Sequence, residues 1–156
     1  MRKMTTDRRA RRGGKRVPER DPHVLRDESR IPIQSTMDIL SARQEGRALA
    51  HRLGLSGSNQ TIIATAISEL ARNILLYAKR GEVRVGIVES NGREGILVVA
   101  SDAGPGIADL ERALQMGFST SGSLGLGLPG VRRLMDEFRI ESRAGKGTTV
   151  TARKWK

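Results

Sequence analysis

The sequence contains no cysteine, so neither a disulfide nor a thiolate metal site can be built from it. Aromatic residues are nearly as scarce: one Trp, one Tyr and two Phe, 3% of the chain. Any core must therefore be aliphatic, and base stacking on aromatic platforms has little to work with. The two histidines, His23 and His51, have no neighbours at metal-ligand spacing and read as surface residues. No continuous apolar run approaches the roughly 20 residues of a membrane-spanning helix. The arginine-rich N-terminus also lacks the apolar stretch of a secretory signal. The expectation is a cytoplasmic chain with no membrane attachment.

What is present fits one folded domain: 156 residues, 37% apolar and 29% charged. The net charge of +11 is unevenly spread, because residues 1–30 hold 11 of the 28 Lys/Arg and 5 of the 17 Asp/Glu, a net +6. That segment has little apolar periodicity and carries Gly13-Gly14, Pro18 and Pro22, so it reads as a disordered basic tail ahead of a domain over 31–156. Such a tail is either a solvated extension or an electrostatic contact for an acidic partner or nucleic acid. Without an aromatic residue it makes a poor nucleic-acid binder.

Along the domain, Ile31 and Ile33 alternate with polar neighbours as in a short edge strand. Ser35 and Asp38 form a capping-box pattern, and a helix runs to about Leu53 with Ile39, Ala42, Gly46, Leu49 and Ala50 on one face. A second helix follows Ser58, with Ile62, Ile63, Ala66, Ile67, Leu70, Ile74 and Tyr77 as its stripe and Gly81 as its end. Two strands, Val83 to Val88 and Ile96 to Ala100, flank the hairpin signal Asn91-Gly92. A short helix is expected over Asp109 to Met116 and another from Pro129, then two closing strands around 139–143 and 148–154. The order β-α-α-β-β-α-α-β-β predicts an α/β two-layer sandwich: helices on one face of a mixed, mostly antiparallel sheet.

Four polar clusters interrupt this pattern. Glu69 and Asn73 are four residues apart on the second helix and project together, a carboxylate able to act as a base beside an amide oxygen able to ligate Mg²⁺. Asp102-Ala103-Gly104-Pro105-Gly106 follows the apolar strand directly, placing a carboxylate at a strand end where it can accept from an exocyclic amine. The run from Gly122 to Gly130 leads into a helix, and side-chain-free backbone before a helix N-terminus favours phosphate. Its Gly125, Gly127 and Gly130 also match G-x-G-x-x-G, but no first strand of a βαβ unit precedes them. A Walker A loop fails as well, because Lys146 is followed by Gly147 and Ile140 stands where the first glycine should be. The fourth cluster, Gly145-Lys146-Gly147-Thr148, is a glycine turn followed by a hydroxyl at the start of the last strand. Each cluster taken alone also has an ordinary reading, as a solvent-facing pair, a tight turn or a hairpin.

Their order carries more than any one of them. Ser68-Glu69-Leu70-Ala71-Arg72-Asn73 resembles the N box of the GHKL ATPases, the Asp102 motif their G1 box, the Gly125/Gly127 loop their G2 box and Gly145-Lys146-Gly147-Thr148 their last glycine box. The resemblance covers residues 31 to 156 and implies their Bergerat fold. Within that superfamily, ISELARNI, DAGPGI, GFSTSGSLGLGLPGVRRLMDEF and AGKGT resemble the RsbT-type serine-protein kinases of the stressosome.

That resemblance implies ATP and Mg²⁺ as cofactors. Asp102 would read the adenine amino group with help from Thr148. Gly104 and Gly106 would let the backbone approach base and ribose. Asn73 would hold the metal, Gly125 and Gly127 would cradle phosphates, and Glu69 would be the general base. Ser119, Thr120 and Ser121 would form a short lid. The implied partners are a STAS-domain substrate, the stressosome scaffold and a phosphatase regulator. The same boxes also fit a second function, an ATP-controlled binding module of the anti-sigma type.

Overall fold

Residues 2–7, 25–115 and 127–156 are described by the computed structural model. Six strands form one sheet in the order β1-β5-β6-β4-β3-β2. They are β1 (Arg2–Asp7), β2 (Leu25–Ile33), β3 (Gly81–Ser90), β4 (Arg93–Asp102), β5 (Glu137–Arg143) and β6 (Gly147–Trp155). The helices are α1 (Thr36–Leu53), α2 (Gly57–Asn73), α3 (Leu110–Ala113) and α4 (Gly127–Leu134), with one π-helical turn, Ile74–Ala78, continuing α2. All five strand pairings are antiparallel, so the expected mixed sheet is corrected to a purely antiparallel one among the described residues.

The period-two pattern of the strands builds the helix-facing side of the sheet. Val83, Val85 and Ile87 of β3 pair with Ala100, Val98 and Ile96 of β4. Ala152 and Val150 of β6 continue those rows to Phe138 and Ile140 of β5. Against them pack Leu49 and Ala50 of α1, Ile63, Ile67 and Leu70 of α2 and Val131 of α4, all buried in one aliphatic core. Helix α1 meets α2 closely because Gly46 has no side chain; a Cβ there would lie 2.0 Å from Ile67 Cδ1.

Several boundaries differ from expectation, each for a local reason. The tail is not wholly irregular: Arg2–Asp7 pairs with the edge of β5, Met4 opposite Ile140. A backbone ladder at an edge needs no apolar alternation, so periodicity cannot reveal it. Strand β2 begins at Leu25 rather than near Arg30, and its register breaks between Arg26 and Ser29, where Asp27 has φ 53°. This irregularity hides the strand from a period-two reading. The N-cap of α2 is Ser56, whose Oγ accepts the Asn59 N–H at 3.1 Å, two residues before Ser58. The helix ends at Lys79, in the left-handed region at φ 68°, and Gly81 opens β3 instead. Tyr77 leaves the apolar stripe for solvent because the wider π turn rotates it off the α-helical face. Helix α3 is a single turn, shorter than Asp109 to Met116. With its π turn, α2 is long and apolar enough by composition to cross a membrane, but it packs on α1, α4 and the sheet.

Candidate nucleotide site

The last turn of α2 carries the first cluster. Glu69 is a buried carboxylate at 7% exposure, one helical turn before Asn73. Both of its oxygens are engaged. Arg72 Nη1 donates to Oε1 at 2.9 Å, and the Gly127 N–H donates to Oε2 at 3.2 Å. The second bond joins α2 to the first residue of α4, so the first and third clusters meet in space. Gly127 has φ 61°, a conformation that suits glycine.

Asn73 is the junction where α-helix turns into π-helix. The widened turn carries Ala78 up against the loop after β4: a Cβ on Gly104 would lie 2.6 Å from Ala78 Cβ. Asp102 closes β4 and folds this loop back on itself, its Oδ1 accepting the Gly104 N–H at 2.9 Å. In register, Asp102 sits between Gly81 of β3 and Thr148 of β6, so its carboxyl and the Thr148 hydroxyl share one end of the sheet.

The second and fourth clusters touch through backbone. The Gly145 N–H donates to Pro105 O at 2.8 Å. A Cβ on Gly106 would lie 2.3 Å from Arg143 O, and one on Gly147 only 2.0 Å from Asp102 O. Gly104, Gly106 and Gly147 are thus demanded by packing within the protein, not only by an approaching ligand. Three strand ends, one loop and one helix turn are locked around Asp102 and Thr148.

Sequence reasoning missed Ser142. It is 4% exposed and bonded to three residues, Ile107 of the loop after β4 and Gly147 and Thr148 of β6. The signal was available: Phe138, Ile140 and Ser142 alternate along β5, so a hydroxyl falls on a core-facing position. Gly125 and the residues 119–121 lie outside the described part of the chain. Among the described residues no group of three or more His, Asp or Glu is placed to hold a metal ion. Asn73 carries an amide oxygen, a ligand type that Mg²⁺ accepts alongside phosphate oxygens and water.

The chain matches a known family, described as histidine kinase-, DNA gyrase B-, and HSP90-like ATPases, over residues 58–156. The chain belongs to this family. It is 50% identical over 131 residues to the serine/threonine-protein kinase RsbT of Bacillus subtilis (strain 168), covering 84% of this chain and 98% of that protein. It is 34% identical over 99 residues to an anti-sigma F factor of Caldanaerobacter subterraneus subsp. tengcongensis, covering 60% of this chain and 68% of that protein. An anti-sigma F factor of Geobacillus thermodenitrificans is 34% identical over 138 residues, covering 83% of this chain and 93% of its own. The extent of the first match places the chain among RsbT-type serine/threonine kinases, and the ATPase family implies use of ATP.

Proposed function

We propose that this protein transfers the γ-phosphoryl group of ATP to a serine of a STAS-domain partner, within a stress-response module that also includes a scaffold and a phosphatase regulator. One observation carries the reading. A buried carboxylate, Glu69, stands one turn from Asn73 and is bonded to the first N–H of α4, in a chain half identical to RsbT along that protein's length.

Asp102 accepts the adenine amino group and Thr148 supports it. The backbone around Gly104 and Gly106 forms the wall of the base site. Gly127 and, by resemblance, Gly125 offer N–H groups to phosphate at the start of α4. Asn73 would hold magnesium, which would supply charge neutralisation for the phosphates. Glu69 takes the proton of the serine hydroxyl as its oxygen attacks the γ-phosphorus and the bond to the β-phosphate bridging oxygen breaks, leaving ADP. Little covalent chemistry is asked of the protein, so positioning and one base suffice. We place the kinase domain from Leu25, where β2 begins, to the last strand, and the protein in the cytoplasm.

A second reading is supported by the anti-sigma relatives: an ATP-controlled docking module that need not phosphorylate its partner. The presence of Glu69 favours the kinase, since docking alone needs no base. The deciding experiment follows labelled γ-phosphate from Mg·ATP to a candidate STAS-domain protein, with Glu69→Ala and Asp102→Asn alongside. Transfer by the unaltered protein and its loss in both variants is the expected result. ATP binding without transfer to any STAS protein moves the docking reading ahead.

A further inference from the structure

We infer that Ser142 is a positioning residue that turns the Thr148 hydroxyl proton away from the nucleotide, so that the base-reading end of the site only accepts hydrogen bonds. Such an edge selects a base with an exocyclic amine, such as adenine, over one with a carbonyl there. The inference rests on the nucleotide-site reading above and deepens it.

Strand register sets out the arrangement. Asp102 pairs with Thr148, and Thr148 pairs with Ser142, so the three side chains form one row across β4, β6 and β5. The row lies on the helix-facing side, two residues beyond Ala100, Val150 and Ile140. Ser142 Oγ accepts the Ile107 N–H at 2.7 Å, reaches the Gly147 carbonyl oxygen at 3.2 Å and lies 2.9 Å from Thr148 Oγ1.

A hydroxyl has one proton and two lone pairs. The Ile107 N–H occupies one lone pair. The Gly147 carbonyl can only accept, so it takes the Ser142 proton. Ser142 is then left with one lone pair, and Thr148 must fill it by donating its own proton. The Thr148 proton points inward, and its lone pairs face the ligand side. Asp102 already spends Oδ1 on the Gly104 N–H, which leaves Oδ2 as a second acceptor. An amine finds acceptors at this edge; a carbonyl finds lone pairs opposed to its own. The cost of an unpaired buried polar group is what makes such an edge discriminate.

The test is calorimetric titration of the full chain with Mg·ATP and with Mg·GTP. The unaltered protein should favour ATP. Ser142→Ala frees the Thr148 proton to rotate outward, and the ATP-to-GTP affinity ratio should fall about tenfold, the worth of one hydrogen bond. Ser142→Thr keeps the hydroxyl and should keep the ratio. In a Thr148→Val background, Ser142→Ala should leave the ratio where it is; a further fall there would show that Ser142 does not act through Thr148 and overturn the inference. Equal weakening of both nucleotides in Ser142→Ala would likewise reduce Ser142 to a brace for the loop. Should the alanine variant fail to fold, Ser142→Cys, similar in shape but a weak hydrogen-bonding group, carries the same comparison. A wild-type chain that binds ATP and GTP equally overturns this inference alone. One that binds neither overturns the nucleotide-site reading and this inference together.

Discussion

Glu69 shows how much one carboxylate can be asked to do. It is buried, bonded to a guanidinium and bonded to the backbone of another helix. If it is the base, Glu69→Gln keeps the shape and one of the two N–H partners, sets its NH2 against the other, and loses the proton acceptor. Phosphoryl transfer should fall by roughly 10²–10⁴-fold with ATP affinity little changed. Loss of ATP binding of the same order would mean that the residue is structural. Arg72 is the harder case. Its side chain is 41% exposed, so the pair with Glu69 contributes well under about 1 kcal/mol to stability. Its value is geometric. Arg72→Ala should leave the melting temperature nearly unmoved while kcat drops several-fold and KM for ATP holds, and Arg72→Lys should recover part of the rate. Gly147 is the opposite kind of residue. With φ 98° and a virtual Cβ 2.0 Å from Asp102 O, it tolerates no side chain. Gly147→Ala should cost about 2–4 kcal/mol in urea unfolding, because backbone strain and a backbone clash add; an unchanged midpoint would refute the packing argument.

At the scale of elements, the crossing of α1 on α2 is decided by Gly46. A Cβ there overlaps the tip of Ile67, a terminal methyl, and makes ordinary contact with Ile63 Cγ2 at 3.6 Å, while alanine gains up to about 1 kcal/mol in helix propensity over glycine. The two effects nearly cancel, so Gly46→Ala should change stability by less than about 1 kcal/mol. Gly46→Leu has no room and should cost about 3 kcal/mol as overpacking separates the helices. Thermal unfolding of both variants checks this, and a stable leucine variant would show that the contact is not tight. The π turn belongs to the same scale. By widening α2 after Asn73 it sets Ala78 against Gly104, so helix and loop share one wall of the site.

At the scale of the whole molecule, the N-terminal segment stands apart from the core. Strand β1 adds one ladder to the edge of β5, but β5 is already paired with β6 and its apolar residues lie in the core without it. Removing residues 1–24 should therefore leave the domain folded and its ATP affinity unchanged. It should also expose the β5 edge, so that self-association at high concentration rises, as read by light scattering. The same pair of proteins, compared for salt-dependent DNA binding, tests whether the basic segment has an electrostatic partner.

The amino-acid sequence by itself determined the element order from β2 onward, the aliphatic stripes and the four polar clusters. Apolar spacing, capping residues and glycine placement are local properties, and local physics reads them out. Hairpin Asn91-Gly92 is such a case: both residues take positive φ, and Ser90 pairs with Arg93. The tertiary structure decided what touches what. Only strand register aligns Asp102, Thr148 and Ser142, residues drawn from three strands spanning 47 positions of the sequence. Only the packing of α4 on α2 brings the Gly127 N–H to Glu69, 58 residues away. Strand β1 was invisible for the same reason: its partner is a backbone edge formed 130 to 140 residues later, and a ladder of N–H and C=O groups leaves no pattern in side-chain chemistry.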